Sequence, residues 1–148
     1  MTTDDEAAAL ARRCAEAMWA TDRASQGLGM RLVGVTPGRA TLTMPITDDM
    51  VNGHGICHGG FLATLADSAF AFACNTYDEV TVAAGFDIEF LAPVRLGEEV
   101  TAEAREVARY GRSGLYDVSL RVADSPVAQF RGRSRSLGRP ILTVEETE

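Results

Sequence analysis

The spacing of hydrophobic positions changes twice along the chain. From Asp4 to about Thr21, Leu10, Cys14, Ala17 and Met18 recur at helical spacing, with Arg12, Arg13 and Glu16 between them. This pattern predicts an amphipathic helix over 4–21, with acids in its first turn where the macrodipole favours them. Gly27 and Gly29 mark a break. Short runs of Val, Leu and Thr from Met30 to Ile46, split by Pro37-Gly38, predict a hairpin. A glycine-rich stretch without a period, 47–60, leads into Phe61 to Asn75, which is rich in alanine and leucine. That run is longer than most strands and apolar on nearly every face, so it predicts a helix buried all round. Beyond Asp78 the chain reads as strands over 80–91, 99–109, 115–122 and 127–137, the last two separated by Asp124-Ser125-Pro126. Short connections without intervening helices predict antiparallel neighbours. The acidic tail after Pro140 is expected to be loose. With no repeat and no linker, residues 1–148 read as one α+β domain, a buried helix wrapped by an antiparallel sheet of five or six strands.

Composition narrows the chemistry. All 14 basic residues are arginine, and the absence of lysine excludes Schiff-base chemistry, a Walker-A lysine and a Ser-Lys dyad. A net charge of -7 argues against a nucleic-acid partner, which needs a positive footprint. Cys14, Cys57 and Cys74 do not form a disulfide framework. The start of the chain lacks the pattern of a signal peptide, and the longest apolar stretch, 61–74, is short and carries Asp67. A cytoplasmic protein with no membrane partner is expected.

The candidate chemistry lies in Asn52-Gly53-His54-Gly55-Ile56-Cys57-His58-Gly59-Gly60 and in Asp67. Gly59 and Gly60 before a helix let a ligand approach backbone N–H groups that have no internal partner, a site for an oxyanion. They also suit a tight loop-to-helix turn with no ligand. Asp67, set among Leu65, Ala66, Ala69 and Phe70, costs several kcal/mol to bury unpaired. It reads as a nucleophile or general base, or as a satisfied structural carboxylate. On one helix, Gly59 and Asp67 would sit roughly 12 Å apart, too far to converge on one atom. Two antiparallel copies of the helix could bring the start of one to Asp67 of the other, so a homodimer with composite sites is expected. His54, Cys57 and His58 are bunched too closely for a tetrahedral zinc site, and no metal is expected. Cys57 beside His58 lacks an orienting third group for a thiol hydrolase; Cys57 and Cys74 read as core fillers. Arg131, Arg133 and Arg135 share one strand face, which reads as salt-bridged to acids such as Glu99 and Glu103, or else as a phosphate contact. Arg95, Arg109 and Arg112, near strand ends, are further candidates for phosphate contacts.

The segment from Asn52 to Gly60, with Asp67 nine residues after His58, resembles the PaaI-type hotdog thioesterases of phenylacetate degradation. The likeness continues through Ala73-Cys74-Asn75, Phe90-Leu-Ala-Pro-Val and the Gly132-Arg-Ser-Arg strand, and so covers about 30–137. It implies a hotdog fold, hydrolysis of acyl-CoA thioesters, and a homodimer or homotetramer built as a dimer of dimers. By position, the Gly59 and Gly60 amides would polarise the thioester carbonyl, with His58 shaping that site. Asp67 of the partner subunit would attack the carbonyl or activate water, and Asn52 would orient the reacting groups. Some relatives place a serine or threonine on the strand after the helix; here that stretch reads Val82-Ala83-Ala84-Gly85, leaving Thr64 or Ser68 for the task. Coenzyme A enters as part of the substrate, its phosphates drawn to Arg109 and Arg112, and no bound cofactor is expected. Phenylacetyl or hydroxyphenylacetyl thioesters are the implied substrates. A hotdog hydratase or dehydratase using Asp67 and His58, and a non-catalytic acyl-CoA-binding module, are the alternatives.

Overall fold

The computed structural model describes residues 2–143. Helix α1, Thr3–Trp19, starts at a capping box in which the Thr2 hydroxyl accepts from the Asp5 N–H and the Asp5 carboxylate accepts from the Thr2 N–H, each at 3.1 Å. Its buried face is Ala11, Cys14 and Ala15. A second helix, α2, Arg23–Gly27, occupies the stretch before the glycine break and ends at it. Its five residues are too few to show a period, and it is held by Asp22, whose carboxylate accepts from the Ser25 N–H at 3.0 Å.

Two strands, β1 (Arg31–Thr36) and β2 (Arg39–Pro45), form the expected hairpin. A single 3-10 turn, Asp48–Met50, leads to helix α3, Gly59–Cys74, and then to strands β3 (Thr81–Phe90), β4 (Glu99–Tyr110), β5 (Ser113–Val122) and β6 (Ser125–Ser136). The six strands form one antiparallel sheet in the order β1-β2-β4-β5-β6-β3. Sequential strands are neighbours except β3, which pairs with β6 and lies at the sheet edge, so the chain crosses the sheet to begin β4. Ser125 and Pro126, expected in a turn, open β6, and the register with β5 shifts opposite Pro126. The start of a strand tolerates a residue with no N–H to donate.

Helix α3 lies across β2, β4 and β5. Leu65, Phe70 and Phe72 project from it into a core shared with Leu42, Met44, Val118 and Phe130. Phe70 packs against Tyr116 and Phe130 with ring centroids 5.6 and 5.8 Å away. Each such side chain contributes roughly 1.5–3 kcal/mol by leaving water. The helix is nonetheless not buried all round: Gly60 is exposed, and Thr64, Asp67, Ser68 and Ala71 are half-buried. Their spacing is that of one helical stripe, the side that a single sheet cannot cover.

The chain just after Pro140 is docked, not loose. Asp78, in the left-handed region at φ 55°, accepts from the Ile141 and Leu142 N–H groups at 3.0 and 2.8 Å, and Leu142 is buried. The acidic end expected to be loose, 144–148, lies outside the described residues.

Candidate active site on helix α3

The loop before α3 is built around Asn52. Its side-chain oxygen accepts from the His54 and Ile56 N–H groups at 2.9 and 3.1 Å, and its backbone N–H donates to the Ile56 carbonyl at 2.8 Å. Gly55, at φ 73°, closes this turn. The Cys57 N–H donates to the Val94 carbonyl and the His58 N–H to the Met50 carbonyl, which fix where the helix begins. Asn52 was expected to orient reacting groups. Its oxygen is committed to the loop, so its side-chain N–H₂ is what it has left to offer.

His58 occupies the N-cap position of α3 but makes no side-chain capping bond, and its side chain is exposed. Among the described residues, no backbone acceptor faces the N–H groups of Gly59 and Gly60. Both glycines belong to the first turn of the helix, so these donors and the helix dipole point to the same place. Gly59 lies under the ring of Phe90, and a Cβ there would come within 2.6 Å of Phe90 Cζ. Phe90, which the sequence placed in the family-like stretch but gave no role at the site, is 52% exposed and walls one side of a cleft of about 360 Å³ with Ile56, Leu62 and Pro93. The cleft is mostly apolar and opens beside the free N–H groups.

Asp67 lies two turns further along the same helix. Among the described residues no side chain donates a hydrogen bond to it or pairs with it. Burial pushes its carboxyl above the usual carboxylate range, and the charge of Asp22 adds to the rise. Thr64 donates back to the Gly60 carbonyl at 2.8 Å, and the Ser68 and Ser25 hydroxyls lie 2.8 Å apart. Asp22 and Ser25 were also missed by the sequence reading. The Asp-x-x-Ser spacing of a helix cap was the available signal.

The other candidates lie elsewhere. Arg109 and Arg112 flank the β4–β5 turn near Cys74, at the far end of α3 from Gly59. Arg109 is held there, its guanidinium 3.7 Å over the Tyr77 ring and its Nε 3.2 Å from Glu106. One protomer therefore does not bring Arg109 and Arg112 together with the start of α3. Two of the three arginines in the β6 row, Arg131 and Arg133, are salt-bridged, but to Asp117 and Asp87, not to the expected glutamates. Arg131 donates to Asp117 at 2.6 and 2.8 Å and Arg133 to Asp87 at 2.9 Å, while Glu99 and Glu103 hold Arg31 and Arg121. The stretch 82–85 lies on the β3 edge, with a register shift between Ala83 and Gly85. All three cysteines are buried and free. Burial holds the Cys57 thiol above its ordinary range and pushes Cys74 up to about 12, the wrong direction for a nucleophilic thiolate. Among the described residues there is no cluster of three or more His, Cys, Asp or Glu that could hold a metal, and no helix long and apolar enough to cross a membrane.

A helix wrapped by a six-stranded antiparallel sheet, with free amides at the start of that helix and an unpaired carboxylate along it, is the hotdog arrangement. Residues 54–129 match the model of the thioesterase superfamily, and the chain belongs to that family. The chain is 39% identical over 128 residues to acyl-coenzyme A thioesterase PaaI of Escherichia coli (strain K12), covering 86% of this chain and 91% of that one. The solved structure of the E. coli PaaI protein from the phenylacetic acid degradation operon superposes with a TM-score of 0.88 at 37% identity, covering 90% of this chain and 97% of that one. A mutant of the phenylacetic acid degradation protein PaaI from Thermus thermophilus superposes with a TM-score of 0.76 at 35% identity, covering 78% of this chain and 100% of that one.

Proposed function

We propose that this thioesterase hydrolyses acyl-CoA thioesters to the free acid and coenzyme A, with aryl-acetyl thioesters such as phenylacetyl-CoA and hydroxyphenylacetyl-CoA as substrates. The observation that carries the reading is the pairing, on one helix, of free N–H groups at Gly59 and Gly60 with an unpartnered, half-buried Asp67. The relatives from phenylacetate degradation support the acyl group, and the apolar cleft beside Phe90 has room for a ring.

Gly59 and Asp67 are eight residues apart, roughly 12 Å along the axis, so one helix cannot bring both to one carbonyl. A second copy supplies the missing half. Strand β3 supports this: it is a ten-residue edge strand whose Val82, Phe86 and Phe90 are 43%, 41% and 52% exposed. Long apolar edges are normally covered. Pairing β3 with its copy would run the two α3 helices antiparallel, with their half-buried stripes facing. Two such dimers assemble further into a tetramer.

In the composite site the Gly59 and Gly60 amides take the thioester oxygen as negative charge develops on it. Asp67 of the other subunit either attacks the carbonyl carbon or removes a proton from the attacking water. The C–S bond then breaks, and the coenzyme A thiolate leaves and takes up a proton. Where Asp67 itself attacked, water next cleaves the acyl–Asp67 anhydride, giving the free acid and returning the carboxylate. A carboxyl with a raised pKa is the better base near neutral pH. No resident cofactor takes part; coenzyme A arrives with the substrate. Arg109 and Arg112 serve the coenzyme A phosphates only if the second copy brings that end of α3 near the cleft.

The test is thiol release from phenylacetyl, hydroxyphenylacetyl, benzoyl and aliphatic CoA thioesters, with and without Asp67→Asn. Release that is fast for aryl-acetyl thioesters and lost in Asp67→Asn supports the reading. Release that survives the substitution removes Asp67 from the mechanism, and no release from any thioester rejects the activity. Composite sites have their own check. Subunit exchange between Asp67→Asn and Gly59→Trp proteins, each inactive alone, should restore activity, because the mixed dimer holds one intact site.

A further inference from the structure

We propose that Asp22 and Ser25, at the start of the short helix α2, are positioning residues for Asp67: they set a second carboxylate near it and lock the turn of α3 that carries it. The proposal rests on the reading of Asp67 as the reacting carboxylate. Ser25 is 1% exposed, and its hydroxyl stands between two groups. It donates to Asp22 Oδ2 at 2.7 Å and lies 2.8 Å from the Ser68 hydroxyl, while Asp22 Oδ1 accepts from the Ser25 N–H at 3.0 Å. A hydroxyl has one proton to give. With that of Ser25 committed to a carboxylate, Ser68 is the donor to Ser25. The relay runs from Ser68 through Ser25 to Asp22 and ties α2 to α3 one residue from Asp67.

The relay has one consequence for Asp67: it fixes a like charge, that of Asp22, nearby. The strands under α3 meet it with apolar side chains, Leu42 and Met44 from β2, Val100 and Ala102 from β4, Val118 and Leu120 from β5. On α3 itself the neighbouring titratable group is the Cys74 thiol, held neutral by burial. Within one subunit, among the described residues, Asp22 is therefore the charge that acts on Asp67, and no cation offsets it. That charge, added to burial, favours the protonated form and raises the basicity of the carboxylate.

Asp22→Asn tests this while keeping a cap, since asparagine caps helices as well as aspartate does. Two measurements are made on the full-length protein: the acid limb of kcat/KM for phenylacetyl-CoA, and the carboxyl 13C titration of Asp67, assigned by its loss in Asp67→Asn. Both midpoints are expected to fall, because the charge of Asp22 is removed while the burial of Asp67 stays. Ser25→Ala removes the hydroxyl and the bond that anchor the Asp22 carboxylate beside α3, and should lower both midpoints in the same direction. A purely structural role would lower the melting temperature and leave both midpoints in place, which overturns the proposal. A carboxyl midpoint that moves while the kinetic limb stays removes Asp67 as the reacting group, and with it the part of Asp22 in the reaction. Should the asparagine variant not fold, Asp22→Ser, which also caps, is read by the same criteria.

Discussion

Two aspartates sit in the structured part of this chain under opposite conditions. Asp117, on the outer face of β5, receives two hydrogen bonds from Arg131 and has Arg105 at 3.5 Å. The Arg131 bonds, helped by the charges of Arg131 and Arg105, hold its carboxyl below the usual range against the opposing effect of burial. Asp67, on α3, has no such partner among the described residues, and burial with the charge of Asp22 holds its carboxyl above that range. The fold thus satisfies a carboxylate on its sheet surface and leaves one unsatisfied beside its uncovered helical stripe. An unsatisfied charge that persists in a well-packed structure marks a site of chemistry more often than a flaw in packing.

The largest expected contrast is in activity. Asp67→Asn should lower thiol release from acyl-CoA by roughly a thousandfold, the middle of what a positioned general base contributes. Asp117→Asn, assayed alongside it at a temperature where both are folded, should leave kcat near that of the parent. Equal losses in the two variants would end the distinction between them.

Next comes the start of the helix. Gly59→Ala keeps the N–H but pushes the Phe90 ring from its place, at 2.6 Å from the new Cβ. Because Phe90 lies on the β3 edge that the second copy is proposed to cover, displacing its ring should also lower the melting temperature slightly. Activity should fall roughly tenfold, since the displaced ring reshapes the site around a retained donor. Thermal melting and steady-state kinetics on the same preparation decide this.

Stability should separate the two aspartates in sign. Asp117, with its folded pKa below the unfolded value of 3.8, contributes stability above that value and loses it as pH falls through the folded pKa. Asp117→Asn should therefore cost about 1–2 kcal/mol at neutral pH, at the lower end for a charged hydrogen bond because Arg131 is half exposed, and progressively less in acid. Asp67 behaves oppositely. Its folded pKa lies above 3.8, so the native state is relatively favoured in acid and loses that advantage as pH rises through the folded value. Asp67→Asn should be more stable than the parent at neutral pH, and the gain should vanish at about pH 3, below both pKa values. Urea unfolding across the acid-to-neutral range measures both. The smallest effect belongs to Arg133→Ala. Its ion pair with Asp87 has side chains 50% and 78% exposed, so the change in unfolding free energy should stay under about 0.5 kcal/mol.

Much of this was legible in the residues. The switch from helical to strand spacing located α1, α3 and the strands to within a few positions. The Gly59-Gly60 pair and the lone acid in an apolar run marked the candidate site. The short helix α2 was not legible, because five residues hold too little pattern. The covering of Gly59 by Phe90 was not either, since it joins residues from α3 and the end of β3. Asn52 was noticed for the right loop, but its oxygen is spent on two backbone N–H groups, and no spacing rule counts hydrogen bonds.

What the sequence determined by itself is local: the period of each element, the glycines that free backbone donors, and a carboxylate with apolar neighbours on its own helix. The tertiary structure alone decided which groups meet across distance. It set β3 at the sheet edge, because strand order depends on partners far apart in the chain. It left one stripe of α3 open, because a single sheet covers one side of a helix. It also gave Asp117 its arginines and Asp67 none, because the charge that reaches a carboxylate is fixed by what folding places around it.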